Sequence, residues 1–172
     1  LLLTALVPLP GRAEVRATSA SGFLVRSEVP IAAPPGAVYK VLVDRLGEWW
    51  DPAHTFSGDS RNLSLDARPG GCFCESLPGG GGVSHMTVVY VAPGSVLRMS
   101  GGLGPLQEYG LVGNMTLNLS ETDAGTTLEL IYSVGGYYPA DFKDIAPAVD
   151  GVLLGQMMRL KSLVETGSPV QK

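Results

Sequence analysis

One long apolar stripe near the C-terminus limits the folds open to this chain more than any other feature. Apolar residues recur there at steps of three and four, the spacing of one face of an α-helix. The stripe consists of Phe142, Ile145, Val149, Leu153, Met157, Leu160 and Val164. It predicts one helix from about 140 to 164, with a kink or break at Pro147 and an end at Gly167 and Pro169. Such a helix needs a broad apolar surface to cover it.

The preceding segments predict that this surface is a β-sheet. Apolar and polar residues alternate at 115–120 and again at 127–134, which is typical of half-buried strands. Seven strands are predicted in all, at 22–33, 62–67, 71–77, 83–92, 95–101, 106–121 and 125–134. Two short helices are predicted after the first strand, at 34–44 and 46–56, the first with proline at its start. This order predicts an α+β domain, in which an antiparallel sheet packs on one long helix.

Composition argues against two classes of protein. Hydrophobic residues make up 45% of the 172 residues and charged residues 16%, so the chain can bury a core. The net charge is -4 without a basic cluster, and nucleic-acid binding is therefore not expected. Beyond the N-terminus no apolar run is long enough to span a membrane, so a membrane-spanning protein is not expected either.

The N-terminal stretch LLLTALVPLPGRAEV is apolar and then turns polar near Gly11 and Ala13, a pattern typical of a secretory signal peptide. We therefore predict a signal peptide or disordered leader at 1–20, one domain at 21–167 and a disordered tail at 168–172. The mature chain is expected to begin near Glu14, with residues 1–13 unpacked. Export would make the protein periplasmic or secreted. A leader that is not a signal peptide would leave it cytoplasmic.

The stretch GGCFCESLPGGGGVSHM, residues 70–86, holds both cysteines, a glutamate and one of the two histidines. A hairpin with its loop at 78–82 would place Glu75 opposite His85, and Cys72 and Cys74 on the other face. One metal ion could not then bind all four side chains, so no metal site is expected here. No other cofactor is expected either, because no cofactor motif stands out. A one-residue change of register would move His85 to the cysteine face.

Each of these pairs has competing interpretations. Glu75 and His85 form either a polar anchor or acid–base pair in a cavity, or an ordinary cross-strand ion pair facing solvent. Cys72 and Cys74 are expected to be buried and unpaired, because their spacing suits a disulfide poorly. The alternatives are a disulfide, as in many exported proteins, and a redox pair.

Four motifs occur in order along the chain: VPIAAPPGAVYKVLVD, GGCF, VVYVAPGSVLRM and GTTLELIY. Together with the order of elements they resemble the START-like, Bet v 1-like superfamily, and more narrowly its bacterial SRPBCC proteins. These include polyketide cyclases and Hsp90-ATPase-activator-like domains. The resemblance covers about residues 22–166 and implies a helix-grip fold, in which a curved seven-stranded sheet wraps around the long helix. It also implies a cavity that often holds a hydrophobic small molecule, but no universal catalytic motif.

In that fold the segment WWDPAHTFSGD lies near one mouth of the cavity. It supplies either an aromatic lid with His54 as its polar tip, or a tryptophan that anchors the first helix. The segment GGLGPLQEYG could supply polar contacts through Gln107, Glu108 and Tyr109, although a tight turn alone explains its glycines and proline. The residues expected to bind a ligand are Trp49, Trp50, His54, Phe73, Glu75, His85, Tyr109, Tyr132, Leu153 and Met157.

Three functions follow from these features and from the resemblance. Binding of a hydrophobic or amphipathic small molecule, lipid- or polyketide-like, ranks first, because no catalytic triad, metal set or cofactor motif stands out. A polyketide cyclase/dehydratase-like enzyme, with Glu75, His85 and His54 as candidate catalytic residues, is the alternative. An Hsp90-ATPase-activator-like co-chaperone ranks third, because export would separate it from cytosolic Hsp90. The protein is expected to be a monomer or homodimer.

Overall fold

Eight antiparallel strands form one open, curved sheet in the computed structural model, which describes residues 11–170. In chain order they are β1 (Arg12–Ser19), β2 (Gly22–Ile31), β3 (Leu63–Leu65), β4 (Cys72–Ser76), β5 (Gly82–Ala92), β6 (Val96–Gly101), β7 (Val112–Thr122) and β8 (Gly125–Gly135). Their order across the sheet is β1-β2-β8-β7-β6-β5-β4-β3, so β1 and β3 are the edges.

In the described part of the chain, three α-helices accompany the sheet: α1 (Pro35–Asp44), α2 (Leu46–Trp49) and α3 (Phe142–Thr166). The Asp141 carboxylate caps α3 by accepting a hydrogen bond of 2.9 Å from the Lys143 amide. Gly167 ends it in the left-handed region, at φ 77°. Pro147 lies in the second turn without ending the helix, which runs on as one element to Thr166.

The core lies between α3 and the concave face of the sheet. Burial alternates along β2, β7 and β8, as the sequence pattern predicts for half-buried strands. The inward side chains of β8 are Leu128, Leu130, Tyr132 and Val134, and those of β7 include Met115, Leu117 and Leu119. They pack with Leu153, Met157 and Leu160 of α3 in one hydrophobic cluster. The predicted arrangement of one long helix on a curved antiparallel sheet is confirmed.

The sheet has one strand more than the seven predicted. The additional strand, β1, pairs with β2 and lies within residues 1–20, the predicted leader. Gly11 already lies close to the side chains of Met158 and Val29, so packing begins before residue 14. The strand was missed because its sequence, RAEVRATS, is mostly polar, as suits an edge strand. The apolar run at 1–10 lies outside the described residues, and the signal peptide remains a prediction.

Two further boundaries differ from expectation. The strand predicted at 106–121 begins only at Val112, because a 3₁₀ turn at Gly104–Gln107 precedes it. Residues 168–170 of the predicted tail are described, and the Ser168 amide donates a hydrogen bond to the Thr166 hydroxyl. No helix within residues 11–170 is both long and apolar enough to cross a membrane.

Candidate functional site

A cavity of about 430 Å³ opens between the first half of α3 and the β4–β5 end of the sheet. Helix α3 contributes one wall through side chains at helical spacing. The sheet contributes a second wall, and two loops, at 50–56 and 103–106, close the sides. The lining consists of Trp50, Ala53, His54, Thr55, Phe56, Leu63, Phe73, His85, Leu103, Gly104, Pro105, Leu106, Ile145, Ala148, Val149, Val152 and Leu153. Most of this surface is apolar, which favours an apolar ligand.

A β-bulge places His85 in the cavity wall. Phe73 pairs with Met86 and Cys74 pairs with Ser84, so His85 is an extra residue on β5. As a consequence His85 and Met86, adjacent in sequence, are both buried. The predicted hairpin register is therefore wrong: Glu75 pairs with Val83, and Cys72 with Thr87. A simple two-residue period could not reveal the bulge.

The prediction that Glu75 and His85 share a face is nevertheless correct. The Glu75 carboxylate lies 3.0 Å from Nε2 of His85, and the two residues are only 2% and 4% exposed. This burial excludes the interpretation as an ion pair facing solvent. Glu75 stands behind His85 rather than in the cavity lining.

Glu75 is surrounded by hydrogen-bond donors. Its carboxylate accepts the amides of Phe56, at 3.1 Å, and Ser57, at 2.5 Å, as well as the His85 bond. Burial by itself raises the pKa of this carboxyl, but the hydrogen bonds from Ser57, Phe56 and His85 together outweigh burial and lower the pKa below its ordinary value. Glu75 is therefore a carboxylate at neutral pH.

The charge of Glu75 fixes the tautomer of His85. A carboxylate only accepts hydrogen bonds, so Nε2 of His85 carries the proton that lies between them. In the neutral ring, Nδ1 is then a hydrogen-bond acceptor. Nδ1 is buried and has no hydrogen-bond partner among residues 11–170. The imidazole thus carries a buried acceptor without a hydrogen-bond partner in the wall of the cavity.

Aromatic rings hold the imidazole in place. The Phe56 ring stacks on His85 with centroids 5.9 Å apart, and the Phe73 ring lies 5.1 Å away. Phe56 is 46% exposed, so it forms an outer cover over the imidazole. Because Glu75 binds the Phe56 amide, the same carboxylate fixes both the imidazole and its cover.

Cys72 and Cys74 form a disulfide on the other face of β4, with Cα atoms 5.3 Å apart. The expectation of buried, unpaired cysteines is wrong: both residues are half-buried and neither thiol is free. This separation lies within the range of ordinary disulfides. It can do so because the distance between alternate Cα atoms is shorter here than in an extended strand. Within residues 11–170 no group of three or more His, Cys, Asp or Glu side chains could hold a metal ion.

Five of the ten predicted ligand-binding residues line the cavity: Trp50, His54, Phe73, His85 and Leu153. Trp50 is held by a hydrogen bond of 3.0 Å from its indole nitrogen to the His54 carbonyl. His54 is exposed at the cavity mouth. The predicted aromatic segment is thus part of the wall.

Trp49 and Met157 lie elsewhere, in the packed core beside a separate void of about 30 Å³. The Trp49 indole donates to the Leu42 carbonyl at 3.3 Å, so this tryptophan anchors α1. Met157 is 2% exposed and faces core side chains. It does not line the cavity, because the cavity lies nearer the N-terminal end of α3.

The two predicted tyrosines also lie outside the lining. The Tyr132 hydroxyl accepts the Leu103 amide at 3.1 Å and donates to the Gly101 carbonyl at 3.0 Å. Burial raises the pKa of Tyr132 to about 12. Tyr132 therefore supports the 103–106 loop from below. Tyr109 is 42% exposed and packs against Tyr138.

Several lining residues were not predicted from the sequence. Leu103 and Leu106 lie in the segment interpreted as a tight turn, and the turn does place both side chains in the wall. Phe56 belongs to the segment predicted as an aromatic lid, but it was not among the residues expected to bind a ligand. A signal for Leu103 and Leu106 did exist in the sequence. Two leucines among glycines and a proline indicate a loop that packs against the domain.

Comparisons with known proteins identify the fold but not the family. No protein-family model matches the chain, and no curated protein sequence matches it. Solved structures do resemble it. EF2215 from Enterococcus faecalis, a conserved protein of unknown function, superposes with a TM-score of 0.63 at 19% identity, over 91% of this chain and 78% of that chain.

Two other solved structures resemble the chain to a similar degree. DynU16, a protein in the dynemicin biosynthetic locus, has a TM-score of 0.61 and 22% identity over 85% of this chain, which spans about half (48%) of that longer chain. CalU16 from Micromonospora echinospora has a TM-score of 0.61 and 20% identity, over 93% of this chain and 85% of that chain. At these identities the likeness shows a shared fold alone.

Proposed function

We propose that the protein binds a hydrophobic or amphipathic small molecule, lipid- or polyketide-like, in the cavity between the sheet and α3. The observation that carries this proposal is a largely apolar cavity of about 430 Å³ with a buried imidazole in its wall. Its volume lies in the range of small-molecule sites, about 300–1,000 Å³. The likeness to DynU16, from a biosynthetic locus, supports the polyketide-like class of ligand.

His85 gives the ligand an orientation. The apolar walls supply affinity without direction, whereas a hydrogen bond to Nδ1 requires a donor at one place on the ligand. A hydroxyl group on an otherwise apolar molecule meets this requirement. The expected ligand is therefore amphipathic, with its polar end against His85.

The binding proposal is tested with a hydrophobic fluorescent dye, 1-anilinonaphthalene-8-sulfonate, and with native mass spectrometry of freshly purified protein. Val149→Trp places a large ring in the cavity and should abolish dye binding while the protein stays folded. Met157→Trp is the matched control, since the same ring enters the packed core. It should destabilise the fold by about 1–3 kcal/mol through overpacking. A wild-type protein that binds no dye and carries no small molecule would contradict the proposal.

A cyclase- or dehydratase-like enzyme is the second candidate, and the Glu75–His85 pair favours it. An ionised carboxylate that holds Nε2–H leaves Nδ1 as a base, the arrangement used for general acid–base catalysis. His54 at the mouth is a further proton donor or acceptor. A short synthetic poly-β-ketone thioester tests this: the enzyme should convert it with loss of one water, seen by mass spectrometry. His85→Gln should then stop turnover but retain binding.

Export to the periplasm or the medium is a separate proposal. The Cys72–Cys74 disulfide supports it, because disulfides persist mainly in oxidising compartments. Expression with a full leader in a bacterial host, followed by N-terminal sequencing of the periplasmic fraction, tests it. An intact leader on cytoplasmic protein would contradict export.

A further inference from the structure

The Cys72–Cys74 disulfide closes a very short ring around Phe73, a residue of the cavity wall. Both cysteines are half-buried on the face of β4 opposite Phe73 and Glu75. Cys72 Sγ lies 3.4 Å from the hydroxyl of Ser84, an exposed residue of β5. The bridge is therefore close to solvent on one side and one residue from the candidate site on the other.

The bridge coincides with the bulge. Two residues apart in an extended strand, Cα atoms are separated by about 6.6 Å, whereas those of Cys72 and Cys74 are 5.3 Å apart. Directly opposite this shortened step, β5 contains the extra residue His85. The Cys72–Cys74 step shortens β4, and the extra residue lengthens β5 opposite it. Both changes bend the sheet at the same place, so the disulfide and the bulge are compatible.

The N-terminal end of this ring is fixed to the rest of the fold. The Cys72 carbonyl accepts the Asp66 amide at 3.0 Å, and the Gly71 carbonyl accepts the Val88 amide at 2.8 Å. A Cβ at Gly71 would collide with the Asp66 carbonyl, which shows how tightly the chain is held there. Beyond Cys74, Glu75 pairs with Leu63 of β3 and with Val83 of β5. If β4 lengthens, the displacement is therefore carried into this part of the ladder, where Glu75 lies.

We propose that the Cys72–Cys74 bridge is a thiol–disulfide exchange site whose substrate is a dithiol, and that its redox state sets the position of the Glu75–His85 pair. In the reaction the Sγ–Sγ bond breaks and the two sulfurs gain two electrons and two protons. The dithiol supplies these and becomes a disulfide. The proposal adds a redox activity to the proposed function and uses that function for one of its readouts.

The redox state can affect the Glu75–His85 pair because the expected change in Cα separation is large compared with the tolerance of a hydrogen bond. Released from the bridge, the two Cα atoms can separate by about 1 Å more. The carboxylate of Glu75 makes contacts of 2.5 to 3.1 Å with Ser57, Phe56 and His85, and a contact stretched to 3.6 Å is no longer a hydrogen bond. Reduction thus loosens the imidazole and its Phe56 cover together.

The test compares oxidised and dithiothreitol-reduced protein, with Cys72→Ala/Cys74→Ala as the matched control. We expect mass spectrometry after thiol alkylation to show no free thiol before reduction and two afterwards. The His85 imidazole signals in NMR spectra should shift on reduction, and dye binding should weaken about five- to tenfold, the effect of one lost hydrogen bond. The double variant should have the dye affinity of the reduced protein, and dithiothreitol should not change it.

The outcomes separate this proposal from the binding proposal. If the dye binds neither form, the binding proposal fails, and the NMR shift of His85 alone decides the redox proposal. If His85 signals and dye affinity are the same in both forms, the redox coupling is overturned. Two free thiols that resist oxidised glutathione in folded protein would overturn the exchange site itself.

Discussion

Glu75 and Asp150 are both carboxylates buried in this domain, and their surroundings affect their charges in opposite ways. Glu75 accepts hydrogen bonds from two amides and an imidazole, and its pKa is lowered. Asp150, on α3, faces the Ser27 hydroxyl at 3.3 Å and the backbone of Glu14. Burial raises its pKa, the nearby Glu14 carboxylate adds to the rise, and the bonds from Ser27 and Glu14 only partly oppose it.

Burial alone therefore does not decide whether a carboxyl group is ionised. The number and charge of its hydrogen-bond partners do. The surroundings of Glu75, at β4 and β5, favour its ionised form. The surroundings of Asp150, between α3, β1 and β2, disfavour its ionised form. A buried carboxylate that three hydrogen-bond donors keep ionised, beside a cavity, points to function there.

Glu75→Gln should give the largest effect. The amide group offers one acceptor and places an NH₂ against amide donors, so at least one buried donor loses its partner. We expect a loss of about 2–3 kcal/mol in the free energy of unfolding at pH 7, measured by urea denaturation. Glu28→Gln is the control: Glu28 is a half-exposed partner of Arg26 and should change stability by less than about 1 kcal/mol. Equal effects of the two variants would remove the contrast.

The pH dependence of stability should differ in sign between the two groups. Because the pKa of Glu75 is lowered, its contribution is present above its ordinary value of 4.5 and is lost as the pH falls through the lowered pKa. Because the pKa of Asp150 is raised, its contribution is present below 3.8 and is lost as the pH rises through the raised pKa. Urea denaturation from pH 3 to pH 7 should show the cost of Glu75→Gln shrinking in acid. A cost independent of pH would show that Glu75 is not ionised.

Asp150→Asn should have the smallest effect, and in the opposite direction. Asparagine keeps an acceptor for the Ser27 hydroxyl and carries no charge to bury. The free energy of unfolding should rise at pH 7 by less than about 1 kcal/mol, and the gain should vanish below about pH 4. Thermal denaturation at both pH values measures it, with Asp144→Asn, in the exposed first turn of α3, as control. A marked destabilisation would mean that the partners of the ionised Asp150 stabilise it by more than burial costs.

The fold was predictable because its signals are periodic. The stripe from Phe142 to Val164 and the alternation along β7 and β8 each repeat many times, so one local error does not change the conclusion. The site depends instead on single events. One extra residue at His85 shifts the hairpin register, one disulfide shortens β4, and the cavity lies nearer Ile145 than Met157. A periodic pattern carries no information about such events.

Because His85 is the extra residue of a bulge, it can be gained or lost in evolution without a change of fold. Deleting that one codon would leave β4 and β5 as a regular hairpin, with Met86 still directed into the core and no imidazole in the cavity. The inverse change, a single inserted codon, would install the imidazole in a sheet that is otherwise complete. Proteins with this architecture can therefore acquire or discard the histidine in one genetic step. Alignments of the β5 segment should be inspected for gaps at this position before a shared architecture is taken to mean shared chemistry.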